Sequence, residues 1–208
     1  MAAPTSDTRE RILDTAEALF AEKGFAATSV REIAAACSLT PASLYNHFDG
    51  KEALYSAVLE RGLVPLMEAL DAPEAGAGGE PSEAAILPRI MAAFGQRPNL
   101  PRLVYQEAVS GGATLVPLIR PWIPPLVARA LDTMKRDLHP AFPEEDLRRV
   151  IGMWVQLVVG YFAVAPLMAE FLDEEPLAPD AIERQTRFLL DITHRIATGE
   201  SAREGSPS

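Results

Sequence analysis

Near the start of the chain, apolar side chains return at helical intervals. Ile12, Leu13, Ala16, Leu19 and Phe20 share one face. The stripe stops at Lys23-Gly24, where glycine can adopt the left-handed conformation that ends a helix, and Phe25 is expected to turn back toward the core. A new start follows at once. Ser29-Val30-Arg31-Glu32 has the form of a capping box, in which hydroxyl and carboxylate each satisfy the other residue's backbone N–H; the short helix it opens carries Ile33, Ala34 and Ala36. Ser38-Leu39 forms a break, and Thr40-Pro41 supplies an N-cap and a first-turn proline for a third helix ending near Phe48. Asp49-Gly50-Lys51-Glu52 then opens a longer helix through Leu54, Tyr55, Val58 and Leu59.

The stretch 71–82, rich in Ala, Gly, Pro and Glu, is expected to be a mobile connector, and the tail from Thr198 to be disordered. Between them, helices are expected at about 83–95, 101–110, 124–138, 144–172 and 178–198. Runs of β-branched and aromatic residues alternating at period two are missing, so the fold class is all-α. Ile182, Gln185, Leu189, Ile192 and Ile196 keep a heptad-like spacing, with Phe188 beside the seam. Val150 to Ala169 carries no formal charge over a length close to a bilayer span, yet holds Gly152, Gln156, Gly160 and Pro166. It is read as a helix buried by its own subunit and a partner, not as a membrane segment.

Two short helices around a tight break, with small residues on the packing side, match a helix-turn-helix whose second helix enters a major groove. The residues themselves sharpen this. Thr28-Ser29-Val30-Arg31-Glu32-Ile33-Ala34, Leu39-Thr40-Pro41-Ala42-Ser43-Leu44-Tyr45-Asn46-His47-Phe48 and Lys51-Glu52-Ala53-Leu54 closely resemble the DNA-binding signature of TetR-type transcriptional regulators, in register over about residues 8–60. That resemblance implies an all-helical homodimer with a three-helix DNA-binding head, here 1–62, on a larger effector-binding and dimerisation domain, here 63–208. It also implies repression relieved by a small molecule. Carried over by position, Thr40, Pro41, Ala42 and Ser43 enter the groove, Tyr45 and His47 contact phosphates, and Lys51 holds a phosphate at the first turn of the fourth helix. Thr28 and Ser29 anchor the second helix to the other strand, and Asn46 joins Ser43 in reading bases. Leu44 and Phe48 resemble packing residues. Ser38 stands where the family usually has the glycine of the turn, and Ala42 where glycine is common. A positive φ at Ser38 would cost about 1 kcal/mol.

Charge changes the picture only in part. The 208 residues hold 19 Lys and Arg against 29 Asp and Glu, a net of −10, which argues against a general coating of nucleic acid or anionic membrane. Residues 1–62 hold six cations against nine carboxylates, a net of −3, but Ile33 to Asn46 carries no charge at all. Arg9, Arg11, Lys23, Arg31 and Lys51 must supply the attraction, less those that pair with Glu10, Glu22 or Glu32. One cysteine, Cys37, excludes an internal disulfide framework and is read as a small buried thiol; a cytoplasmic setting is expected, with no secretory signal. His47, His139 and His194 have no metal-ligand spacing, Ser110-Gly111-Gly112 is read as a helix terminus rather than an oxyanion turn, and Asp173-Glu174-Glu175 as the solvated end of a long helix. No catalytic constellation, metal or cofactor is expected.

For the second half, Tyr105, Gln106, Trp122, Trp154, Gln156 and Phe162 mix apolar area with polar handles and are the candidates for an effector pocket, taking a mainly apolar, neutral or cationic small molecule. Gly152, Gly160, Ala163, Gln185, Phe188, Leu189 and Ile192 are the candidates for a two-fold interface. The function expected is a DNA-binding transcriptional repressor on a near-palindromic double-stranded operator. The alternative is a stress-sensing interaction protein that keeps the head without specific operator reading.

Overall fold

A computed structural model describes residues 5–71, 83–137 and 143–198. The expected connector, the tail beyond Thr198 and the His139 loop lie outside the described residues, as does the His194 side chain. Among the described residues every regular element is a helix. They are α1 (Thr5–Lys23), α2 (Val30–Ala36), α3 (Pro41–Tyr45), α4 (Lys51–Asp71), α5 (Glu83–Gln96), α6 (Asn99–Val109), α7 (Leu115–Ile119), α8 (Ile123–Asp137), α9 (Glu144–Ala163), α10 (Ala165–Leu172) and α11 (Pro179–Thr198).

Packing divides the chain into two compact units. The first holds the chain up to Pro65 together with Asn99–Ile119. The sequence boundary at 62/63 leaves α6 and α7 with the later part, whereas in the structure they pack with the early helices. Ile12, Leu13, Ala16 and Phe20 of α1 are buried, as are Ile33 and Ala34 of α2, Leu44 of α3 and Leu54, Val58 and Leu59 of α4. Gly24 closes α1 at φ +82°, its N–H donating to Phe20 O at 2.8 Å. Arg61 of α4 fans across three α1 carboxylates, Glu10 (3.2 Å), Asp14 (2.7 Å) and Glu17 (2.6 Å). Gly62 leaves room for Leu100 of α6, where a Cβ would stand 2.5 Å from a Leu100 methyl. Gln106 Nε2 donates to Ala21 O at 3.1 Å, fastening α6 to α1.

The second unit holds Leu66–Pro98 and the chain from Arg120 onward. α11 packs on α5, and α8 on α9 around Met134, Leu147 and Val150. Phe162 is fully buried and sets its ring edgewise to Phe94 and Tyr161, at 5.6 and 5.3 Å between centroids. The single helix expected over 144–172 is two: the chain breaks at Val164, Pro166 sits in the first turn of α10, and the axes bend by 85°. No single described helix is long and apolar enough to cross a membrane. The carboxylate run after the bend does not simply end in water, since Glu174 pairs with Arg184 and Asp173 adopts φ +50° to end α10. Leu115–Ile119 is a helix that the periodicity does not announce.

Candidate nucleic-acid interface

The geometry of α3 follows from its ends. Thr40 Oγ1 accepts the Ser43 N–H at 3.1 Å, Pro41 opens the first turn, and His47 and Phe48 both return their N–H groups to Leu44 O. Leu44 is fully buried and Phe48 nearly so, and these two fix the inner face. Everything expected to meet DNA on this helix lies on the other side. Pro41, Ala42, Tyr45 and Asn46 are exposed, Tyr45 by 53 %, while Ser43 and His47 are half-buried. The outer face is therefore uncharged and, Tyr45 aside, built of short side chains, a composition that suits close approach of a helix backbone to base edges.

The turn before α3 is strained as the sequence suggests. Ser38 takes φ +57°. Its N–H reaches Ala35 O at 3.0 Å and Leu39 N–H reaches Ala34 O at 2.8 Å, the pair of bonds of a Schellman ending that normally places glycine at the Ser38 position. At the start of α2, Ser29 Oγ accepts from Glu32 N at 3.2 Å, so the serine half of the capping box forms. The Glu32 carboxylate is held below its ordinary range chiefly by a hydrogen bond from Lys23, with the Ser29 backbone N–H adding to it.

The structure sorts the cations of the head. Lys23 pairs with Glu32, Arg61 with three carboxylates, and Arg11 donates to Cys37 O at 3.0 Å. Arg9, Arg31 and Lys51 make no ion pair among the described residues. Arg9 lies 4.9 Å over the ring of Phe48, beside the end of α3. Lys51 stands at the N-terminus of α4, its Nζ 4.3 Å over the Phe25 ring and 3.3 Å from Ala26 O. The head, acidic as a whole, thus keeps three cations without a carboxylate partner among the described residues, one of them, Arg9, beside the end of the uncharged helix.

Thr28 requires a correction. Its side chain is buried, with 1 % exposed, and its hydroxyl donates to Gly24 O at 2.9 Å and Leu19 O at 3.2 Å. It locks the α1–α2 corner and offers no side-chain contact to DNA. Ser29 is exposed but its oxygen already caps α2. Cys37 is the buried thiol expected, donating weakly to Arg11 O at 3.8 Å.

The effector candidates are divided between the two units. Tyr105 and Gln106 belong to the first unit, one exposed and the other bound to Ala21 O. In the second unit Phe162 is core, Trp154 packs against the cluster of Met134, Leu147 and Val150, Trp122 is half-buried before α8, and Gln156 is exposed. An open cleft of about 390 Å³ is lined instead by residues the sequence does not single out, among them Ile123, Val127, Leu131, Asp132 and Arg148. The heptad stripe of α11 turns out to be largely internal. Leu189 is buried against its own chain, Ile182 meets Gly95 of α5, and Gln185 and Ile192 are half-buried, leaving Phe188 exposed by 56 %. On α9, Met153, Val155 and Leu157 are exposed beside Gly152 and Gly160, where an added Cβ would meet nothing within 4 Å; Ala163 is half-buried.

Sequence reading missed Glu107. It is the single carboxylate of α6, only 7 % exposed, and its Oε1 accepts from Thr114 N at 2.6 Å and Leu115 N at 3.3 Å at the start of α7. Nothing local marks it, because its partners come from a turn that the pattern leaves unassigned. Ser110-Gly111-Gly112 is the helix terminus expected, with both glycines at positive φ.

Residues 12–58 match the family described as bacterial regulatory proteins, tetR family. Over 89 residues the chain is 36 % identical to YerO, an HTH-type transcriptional regulator of Bacillus subtilis (strain 168), covering 43 % of this chain and 31 % of that one. It is 40 % identical over 68 residues to the HTH-type transcriptional regulator UidR of Escherichia coli (strain K12), covering 31 % of this chain and 35 % of UidR. These matches span about a third of the relatives' length. The fold is similar to that of the ketosteroid transcriptional regulator KstR2 of Mycobacterium tuberculosis, at TM-score 0.70 and 18 % identity over 93 % of this chain and 96 % of that one. A tetR-family regulatory protein from Rhodococcus RHA1 gives TM-score 0.67 at 19 % identity, over 93 % and 98 %.

Proposed function

Because this chain belongs to the TetR family of bacterial regulatory proteins, we propose that it is a DNA-binding transcriptional regulator acting as a repressor on a near-palindromic operator. One observation carries the reading. The exposed residues of α3 carry no carboxylate, Arg9 lies over Phe48 at the end of that helix, and Arg9, Arg31 and Lys51 of the same unit have no carboxylate partner among the described residues. On this reading Ala42, Ser43 and Asn46 face base edges, while Tyr45, His47 and Lys51 hold phosphates that set register. Repression is supported by similarity to relatives whose names carry that role, such as the transcriptional repressor KstR2 of Rhodococcus jostii (strain RHA1), 48 % identical over 54 residues.

The active species is a homodimer. Met153, Val155 and Leu157 of α9 and Phe188 of α11 are uncovered apolar groups, and the open space at Gly152 and Gly160 admits a second backbone. A mainly apolar, neutral or cationic effector acts through the second unit and changes operator affinity. Fluorescence anisotropy with the DNA upstream of its own gene, against unrelated duplex, tests the proposal. Specific binding about 1,000-fold or more tighter than non-specific binding is expected at matched salt. Equal affinity for both duplexes at every salt concentration would remove the operator-reading role.

A further inference from the structure

The base edges of a major groove make different demands on a helix. Guanine presents two acceptors, O6 and N7, and its strong partner is an arginine or lysine that donates to both. Adenine presents an acceptor at N7 and a donor at N6, which a carboxamide matches, and thymine adds a methyl group, which an apolar side chain matches. The exposed residues of α3 and its caps are Thr40, Pro41, Ala42, Tyr45 and Asn46, with Ser43 half-buried among them. None carries a charge, so this helix brings no bidentate partner for guanine. The cations of the unit that lack a carboxylate partner stand on other helices: Arg9 on α1, Arg31 on α2 and Lys51 on α4. Asn46 keeps helical backbone angles, φ −70° and ψ −15°, so Ala42 and Asn46, at the i, i+4 spacing, share one face, while Leu44 and Phe48 share the buried one. The Thr40 oxygen is already engaged by the Ser43 N–H, at 3.1 Å. The Asn46 carboxamide, by contrast, makes no hydrogen bond among the described residues and keeps both its acceptor and its donors for a partner outside the chain.

We propose that the base pairs under α3 are read as thymine and adenine: the Ala42 methyl packs on a thymine methyl, and Asn46 pairs with an adenine, its amide N–H donating to N7 and its Oδ1 accepting from N6. This assignment rests on the DNA-binding reading above and names the bases that reading leaves open. The two contacts have a spacing. Four residues of helix rise about 6 Å, and successive base pairs stack about 3.4 Å apart. A helix lying along the groove therefore sets the adenine about two base pairs from the thymine under Ala42. Selectivity comes as much from exclusion as from attraction. A guanine under Ala42 would lose water from O6 and N7 to a methyl group that donates nothing, and an acceptor buried without a donor is costly.

The test begins by selecting sites for the full chain from a pool of random duplexes, and then measures the selected duplex by anisotropy with one base analogue at a time. Uracil in place of thymine deletes only the methyl group. At one thymine of each half-site it should weaken binding of the parent about 3- to 4-fold, and that loss should vanish in Ala42→Gly. 7-Deazaadenine deletes the N7 acceptor. At one adenine, about two base pairs from that thymine, it should weaken the parent about 5-fold or more and leave Asn46→Ala unaffected. The analogues change the DNA and not the protein, so the parent's responses stand even where a variant folds poorly. Uracil without effect at every thymine, losses that persist in full in Ala42→Gly and Asn46→Ala, or a guanine between those two positions whose 7-deaza analogue weakens the parent would each overturn the proposal. Failure of the DNA-binding reading looks different: no sequence would then be enriched from the pool, and no analogue would have a site to act on.

Discussion

The outer faces of α3 and α9 are both left uncovered by their own chain, and they differ in kind. On α3 the uncovered groups are Pro41, Ala42, Tyr45 and Asn46, short or polar and without charge. On α9 they are Met153, Val155 and Leu157 around two glycines. An apolar face gains free energy by leaving water, about 25 cal/mol for each Å² removed, and therefore asks for another apolar face. A polar face of short side chains gains nothing from burial alone and has value only against a partner that offers donors and acceptors at fixed positions. Exposure by itself names no partner; the chemistry of what is exposed decides which kind of surface would fit it.

Exchanging that chemistry tests the distinction. Leu157→Arg, at a position 45 % exposed, should leave the subunit folded but halve the sedimenting mass from about twice 22.5 kDa. Operator affinity should fall by on the order of 100-fold or more, because the second half-site then binds as a separate molecule. A Leu157→Arg dimer of unchanged stability would remove α9 from the interface. Ala42→Glu places a carboxylate on the uncharged face of α3 and should weaken binding by about 10- to 100-fold with the dimer intact, as anisotropy and sedimentation together would show.

Smaller effects concern the turns that hold α3 in place. Ser38→Gly relieves the left-handed serine and should raise stability by about 0.5–1 kcal/mol, a rise of about 2 °C in the thermal midpoint, with little change in operator affinity. An affinity change without a stability change would mean that the Ser38 side chain acts on DNA. Glu32 is lowered from its ordinary 4.5 by Lys23, so its contribution is complete above that pH and is lost as pH falls through the lower folded value. The difference in thermal midpoint between the parent and Glu32→Gln, small at pH 7, should therefore close in acid; a difference that stays constant down to pH 3 would show that Lys23 is not its source.

The head was legible because its information is local. Caps, the first-turn proline and the Schellman turn are each written within four or five residues: Ser29, Thr40 and Pro41 behave as their types require, and Ser38 takes the left-handed conformation of its position against the preference of its type. Thr28 was misread for the opposite reason: whether a threonine faces DNA or the corner behind it depends on Leu19 and Gly24, and only packing decides that. The same limit explains α11, whose stripe fits a partner helix and its own α5 equally well by periodicity. It also explains the bend at Val164, where the uncharged run hid a proline at the start of a new helix.

The fan of Arg61 bears on how the head assembles. Glu10, Asp14 and Glu17 stand four and three residues apart on α1, and like charges at that spacing weaken a helix in isolation by a few tenths of a kcal/mol per pair. Their neutralising partner arrives from α4, 44 to 51 residues later in the chain. The repulsion along α1 is therefore relieved only when α4 reaches it, through a contact of long sequence separation. Folding of the head is then tied to α4, so a chain truncated before Arg61 should give no partly formed α3 able to occupy DNA.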